Sequence, residues 1–273
     1  MAAQYMKEKG CDYSMLTADP RGIARKKMYL PMGYEDVDRD YVSLQFPNVL
    51  RFIKDFPGVA GFSPILLTVS YLPRFLHRLR LKFSNFFTDH SYEIAHARKH
   101  ERFRRAINGV LPKYRTGFPG YDKEKMKWAR ISVPSTRYEP TYVMMKNAQE
   151  IIGGAVLTHQ NFYSFQYGLK IRLGILRDFF IDHARFQTKR RLHLGCLYLL
   201  DKILKAATLR SVGITLFQVP SGAAHLLNSL KALGFLTFKG GTVMLKPLKD
   251  GLPVPAFFEK PLHVPTYVST GVP

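Results

Sequence analysis

The chain has 273 residues, 46% of them hydrophobic, with 41 Lys or Arg against 20 Asp or Glu and a formal charge of +21. It is too apolar for a disordered chain and long enough to bury a core in one large or two small domains. Such a charge surplus repels itself unless a polyanion neutralises it, so nucleic acid is the first partner to expect and an anionic membrane surface the second.

Cys11 and Cys196 lie far apart, which excludes a disulfide framework or a zinc ribbon and fits a reducing compartment. The first residues, MAAQYMKEKGCDYS, carry neither a secretory signal nor a transit-peptide pattern. Turn formers such as Asp19-Pro20, Pro31-Met32-Gly33 and Pro47-Asn48 read as an extended arm over residues 1–73. The uncharged run Phe56 to Pro73 is broken by Pro57, Gly58, Gly61 and Pro64, so a buried irregular segment is expected and not an integral membrane span.

From Arg74 the pattern turns helical and basic, with Leu76, Leu79, Phe83, Phe86 and Phe87 as a buried aromatic-rich stripe. A second helix carries Arg98, Lys99, Arg102, Arg104 and Arg105 beside the single acid Glu101, a one-sided cluster that suggests phosphate contact. Residues 112–141, rich in Pro, Gly, Lys and Tyr, suit an irregular basic linker with tyrosines available to stack on bases. The three-and-four spacing of Phe162, Phe165, Leu169, Leu173, Leu176, Phe180 and His183 predicts a long helix from Thr158 to about Gln187, followed by the basic run Lys189-Arg190-Arg191.

Catalytic signatures are not evident. His96 and His100 have helical ligand spacing, but Ala97 stands where a zinc protease needs its glutamate, and no third ligand follows. Gly61 to Pro64 lacks the second glycine of a nucleophile elbow. Gly153-Gly154 has no lysine of a phosphate loop and reads as a helix break. Asp36 and Asp38 have no convergent base. No catalytic residue, metal ligand or cofactor is assigned.

The last quarter has the clearest order. YLLDKILKAATLR is an amphipathic helix with a basic side, Ile214 to Val219 a strand stopped by Pro220, and Ser221 a cap for a helix carrying Leu226, Leu227, Leu230 and Leu233. Gly234 ends that helix, and Phe235–Lys239 and Thr242–Lys246 are expected to form a hairpin around Gly240-Gly241. The pieces LLDKILKAATLR, LFQVPS, LLNSLKALGFLTF, VMLKP and EKPLHVPTYVS, in this order, resemble the N-terminal domain of the small-subunit ribosomal protein eight family. Leu262 and His263 depart from its Gly-Arg turn, and the chain ends before the family's serine-containing loop, with Ser269-Thr270-Gly271 there instead.

The resemblance implies an α+β fold. It would comprise a shortened αβαββ module with a small remnant β segment over 193–273, preceded by a mostly helical and irregular basic extension over 74–192. It further implies a non-enzymatic constituent of the mitochondrial small ribosomal subunit, placed in the matrix. Its partners would be small-subunit rRNA and neighbouring ribosomal proteins, with no small-molecule substrate. Lys202, Lys205, Arg210, Ser221, Lys260, His263 and Tyr267 would touch RNA by resemblance. Arg98, Lys99, Arg102, Arg104, Arg105, Lys189, Arg190 and Arg191 are added on charge alone. The other readings are a peripheral subunit of a mitochondrial membrane complex and an RNA-processing enzyme.

Overall fold

Strands, not a long helix, occupy the middle of the chain. In the computed structural model, which describes residues 2–8, 10–84, 90–95, 100–115, 120–123, 140–164, 169–220 and 223–252, Glu150–Ser164 is strand β5 and Leu169–Ile181 strand β6. Every residue from Ile152 to Gln160 is buried. A strand covered on both faces reads as a continuous apolar run with no alternation, which is how helical spacing could be read into this stretch.

Six further strands complete one sheet. They are β1 (Tyr13–Ala18), β2 (Glu35–Gln45), β3 (His90–Ala95), β4 (Thr141–Asn147), β7 (Ile214–Pro220) and β8 (Leu236–Pro247). Their order is β1-β8-β2-β7-β6-β5-β4-β3. Every neighbouring pair is antiparallel except β6 and β7, which are parallel. The helices are α1 (Ala2–Glu8), α2 (Val49–Asp55), α3 (Ser63–Phe83), α4 (His100–Tyr114), α5 (Lys189–Leu209) and α6 (Ala224–Ala232). Helix α5 makes the crossover that a parallel strand pair requires.

Two apolar layers sandwich the sheet, and β4 shows the alternation that divides them. Val143 and Met145 join Leu197, Leu200 and Leu204 of α5 and Leu230 of α6. Tyr142 and Met144 turn to Phe103, Ile107 and Val110 of α4 on the opposite face. Gly154 is required where α4 crosses, because a Cβ there would lie 2.9 Å from the Phe103 ring and 3.0 Å from that of Phe180. Gly153-Gly154 is therefore a close-packing site inside a strand and not a helix break.

The expected α+β architecture, a small module with a helical extension, is overturned. Helix α5, β7, α6 and the positive φ of Gly234 do lie in the expected order. However, β7 is paired between β6 and β2, so this segment is part of the eight-stranded sheet and not a separate module. The diglycine makes no hairpin. Strand β8 runs straight through it, and the two glycines leave room for neighbours: a Cβ on Gly240 would collide with the Asp40 carboxylate, and one on Gly241 would come 2.5 Å from Thr17 Cγ2. Asp40 is fully buried, accepts from the Gln218 side chain, and has its pKa pushed up by that burial. The supposed arm supplies β1 and β2.

Residues 56–73 are not a buried irregular segment either. They form a 3-10 turn, Pro57–Phe62, and the first half of α3, which lies inside out on the protein. Its buried positions are Ser70, Arg74, His77 and Leu81, while Phe75, Leu76 and Phe83 face solvent. Pro73 lacks the N–H that would bond the Val69 carbonyl, and that carbonyl is pressed against Gly234, where no Cβ could fit. Gln45 Nε2 donates to the carbonyls of Ser70 (3.2 Å) and Leu233 (3.3 Å), fastening α3 to the sheet and to the end of α6. The buried Asp201 carboxylate on α5 holds Arg78 at 3.1 Å.

Burial sets a pH limit on this fold. It is the leading cause that lowers His77, His159 and His225 to about 4, reinforced by Arg80, by Arg172 and by His183 respectively. The unfolded chain takes up these protons near pH 6.5, whereas the folded chain admits them only near 4. Stability should therefore be full above about pH 6.5 and fall steadily as the pH drops toward 4. Thermal melts across that range should show a falling Tm, with a shallower slope for His77→Gln/His159→Gln. A flat Tm between these limits would contradict the burial described.

Candidate active site

The single parallel pair opens into a crevice. Strands β6 and β7 are in register from Leu173↔Ile214 to Leu176↔Phe217, and then part. Strand β6 stays with β5 as far as Ile181, while β7 continues along β2 to Pro220. A bulge begins at the parting: Val156 faces Arg177 and Gly154 faces Phe180, so Asp178 and Phe179 both stand opposite Ala155. Asp178 takes a φ of 51°, uncommon for a residue with a side chain. It is held there by Tyr121, whose hydroxyl donates to Asp178 Oδ1 at 2.8 Å. Tyr121 is fixed in turn by Asn108 and Arg104 of α4.

Beyond the last paired residues, the facing edges of β6 and β7 no longer share a ladder. Backbone N–H and C=O groups there are available to an inserted chain, and a strand-like ligand rich in amides satisfies such groups best. A cleft of about 320 Å³ lies at the end of β6, between the last turn of α4 and the start of α6, lined by Leu111, Phe179, Phe180 and Leu226 and by three aromatic polar groups, Tyr114, His183 and His225. The Tyr114 and His183 rings stack at 4.4 Å, and His183 meets His225 edge-on at 4.8 Å.

Asp182, the first residue after β6, organises this cluster. It accepts from Tyr114 Oη at 2.7 Å, Lys113 Nζ at 3.3 Å and the backbone N–H of Ala184 at 3.3 Å. Burial pushes its carboxyl upward, but the bonds from Tyr114 and Lys113 outweigh this and hold it below the ordinary carboxylate value. Burial, and then the bond to Asp182, raise the Tyr114 phenol. His183 is lowered by burial and by Arg115, and His225 is lowered to about 4 by burial, His183 and Arg115. Both imidazoles are neutral near pH 7 and can accept a proton.

The N-terminus of α5 faces the same end of the sheet. Thr188 caps it, its hydroxyl accepting from the Arg191 N–H at 3.1 Å. The first turn carries exposed Lys189, Arg190 and Arg191 and no acid. Helix dipole, unsatisfied N–H groups and three cations together favour a phosphate.

The expected RNA-binding residues separate. Lys189, Arg190 and Arg191 stand together at this helix start. Lys202 and Lys205 lie further along α5, where both ammonium groups lie over the Tyr92 ring, at 4.6 and 5.7 Å. Arg210 is the C-cap of α5. The α4 cluster is largely paired: Arg104 and Arg105 reach Glu101 at 2.6 and 3.3 Å, and Arg102 reaches Glu93 at 3.6 Å. Arg98, Lys99, Ser221, Lys260, His263 and Tyr267 lie outside the described residues. Tyr114, Asp182, His183 and His225 were missed. One signal was present: polar residues directly after a buried strand and before a capped helix, the place where sheets with crossovers bind ligands.

No protein-family model matches this sequence, and no curated protein does. Solved structures do match. The chain superposes on a GCN5-related N-acetyltransferase from Sphaerobacter thermophilus with a TM-score of 0.51 and 10% identity, covering 92% of this chain and 67% of that one. It superposes on Saccharomyces cerevisiae N-myristoyltransferase with bound myristoyl-CoA at a TM-score of 0.55 and 10% identity, covering 90% of this chain and 57% of that one. The fold is that of the GCN5-related N-acetyltransferases. The chain spans little more than half the length of the yeast enzyme.

This likeness overturns the ribosomal-protein-eight resemblance and what followed from it: the non-enzymatic ribosomal role, the rRNA and ribosomal-protein partners, and the exclusion of a small-molecule substrate; it gives the RNA-processing reading no support either. The helix, strand, helix order that opens the last quarter was correctly read, but the hairpin expected after it is one continuous strand. Nor does a local pattern contain the parallel pairing of β7 with β6.

The Asp182 network makes a stability prediction. Tyr114→Phe removes the shortest bond to that carboxylate and should cost about 0.5–1.5 kcal/mol in urea unfolding. A change within measurement error would mean that solvent replaces the phenol at no cost.

Proposed function

We propose that this chain is an acyltransferase that moves an acyl group from a coenzyme A thioester to an amine. The observation that carries the reading is the parting of β6 and β7, with a cleft at the end of β6 and the capped, basic start of α5 a few residues further along the chain. A coenzyme A thioester offers what these two features take: phosphates for the helix start, and an extended arm with two amide groups for the open strand edges. The two transferase structures support the same chemistry, one of them holding myristoyl-CoA. Arg190 and Leu192 occupy the helix start where small residues would let a phosphate approach the backbone closely. The side-chain charges of Lys189, Arg190 and Arg191 therefore carry more of the binding.

In the reaction, the amine nitrogen bonds to the thioester carbonyl carbon and the carbon–sulfur bond breaks. One amine proton must leave the nitrogen, and the departing thiolate takes up a proton. His225 and His183, paired in the cleft, present unprotonated imidazole nitrogens to take the amine proton, and the burial that keeps them neutral also weakens them as bases. Tyr114, held by Asp182 and stacked on His183, positions the imidazoles and is the group nearest them able to return a proton. The apolar wall of Leu111, Phe179, Phe180 and Leu226 excludes water from the thioester.

Acetyl-CoA and longer acyl-CoA thioesters should raise the Tm of the protein, since a ligand bound only by the folded state stabilises it by mass action. Lys189→Ala/Arg190→Ala/Arg191→Ala should weaken that binding at least about tenfold, or about 1.4 kcal/mol. His225→Ala should lower kcat for amine acylation by roughly 10²–10⁴ with a smaller effect on donor affinity. Calorimetry and free-thiol release check these outcomes. No Tm shift and no thiol release with any acyl-CoA would overturn the reading.

A further inference from the structure

Helix α3 exposes what a water-facing helix buries. Ile65, Leu72, Phe75, Leu76, Leu79 and Phe83 are 37–83% exposed and recur at helical spacing along one side, while Ser70, Arg74 and His77 point inward. Pro57–Phe83 is long and apolar enough to cross a membrane by length and composition. Its inner side, though, is docked on α5 and on Gly234, so the helix lies along the surface of the protein and does not stand clear of it. A continuous apolar stripe of this kind marks a partner or membrane surface.

Charge decides between those partners. Beside the stripe, and sharing Phe75 with it, is a cleft of about 590 Å³ between α3 and α5. Arg74, Arg78, Lys202 and Lys205 line it, against the single carboxylate of Asp201. Arg74 is only 5% exposed, and its Nε and one Nη have no hydrogen-bond partner among the described residues; Asp201 lies 3.8 Å away. Burial lowers both the Arg74 guanidinium and the Lys202 ammonium, and the nearby Asp201 only partly offsets it. Arg80 and Lys82 add exposed charge in the last turns of α3. The chain as a whole carries +21.

We propose that α3 docks this protein on the surface of an anionic phospholipid bilayer, its apolar stripe entering the headgroup boundary and the α3–α5 cleft receiving a lipid phosphate. A surface helix with an apolar face flanked by Arg and Lys binds membranes in this way, and juxtaposed cations confer preference for anionic lipid. Free phosphate would occupy the cleft but has no use for the stripe. The docking is independent of the acyl-transfer reading and remains testable if that reading fails.

Co-sedimentation of the full chain with vesicles tests it. Vesicles of phosphatidylcholine with about 30% phosphatidylglycerol should bind at least about tenfold more tightly than phosphatidylcholine alone, and added salt should weaken the binding. Leu76→Glu/Leu79→Glu changes only exposed positions, so circular dichroism should remain native while binding to both vesicle types falls at least about tenfold. Arg78→Gln/Lys205→Gln should erase the preference for anionic vesicles and leave binding to neutral ones unchanged. The proposal is overturned if anionic vesicles do not pellet the wild-type chain, or if the Glu variant pellets equally well. It is also overturned if inorganic phosphate at matched ionic strength displaces the protein completely, which would make the cleft a free-phosphate site. Sedimentation showing a dimer that Leu76→Glu/Leu79→Glu dissolves would assign the stripe to a second copy, again against the proposal.

Discussion

The candidate active site depends on two strands that stay together for four residues and then separate. Parallel pairing from Leu173 to Leu176 fixes where β7 starts, and the bulge at Asp178 turns the end of β6 away. Continued pairing would fill the crevice with ordinary ladder bonds and leave nothing for a ligand to take up. The bulge is supported by α4, through Tyr121, the same helix whose Leu111, Lys113 and Tyr114 line the cleft. The strain at Asp178 is thereby stored in a network that spans both layers of the fold.

Local patterns in the sequence were legible where a single element decided them. The body of α5 is visible in the helical spacing of Leu199, Leu200, Ile203 and Leu204, though not its start at Lys189, and the end of α6 is visible in Gly234, whose φ is +79°. What was not legible were the choices made between elements. Whether Gly240-Gly241 turns the chain or lets it pass depends on Asp40, two hundred residues away and buried against both glycines. Whether Phe162 to His183 is helix or strand depends on the two layers that cover it. The site residues Tyr114, Asp182, His183 and His225 come from three separate stretches of the chain that only the closed sheet brings together. The resemblance failed for the same reason: it matched an order of elements, and the pairing partners of β7 were outside it.

Helix α3 shows how tertiary contacts can reverse an amphipathic pattern. Its buried polar positions are held by specific groups, Arg74 by Asp201 and the Ser70 carbonyl by Gln45, so its apolar side has nowhere to go but outward. Burying a guanidinium such as that of Arg74 is costly unless it is paired, and retaining one beneath an exposed row of Leu and Phe is hard to explain by stability alone.

The place of β2 has a consequence for how the chain must assemble. This strand is made among the first fifty residues yet lies between β7 and β8, which are made among the last. Half of the sheet therefore cannot close until nearly the whole chain is available, and the closure joins segments at opposite ends of the sequence. Such non-local pairing slows folding because loop entropy is lost before contacts form. Until it is complete, β2 presents two unpaired edges for other chains to join. The acidic residues Asp36, Asp38 and Asp40 on that strand, in a protein otherwise so basic, put local negative charge on the edge that waits longest.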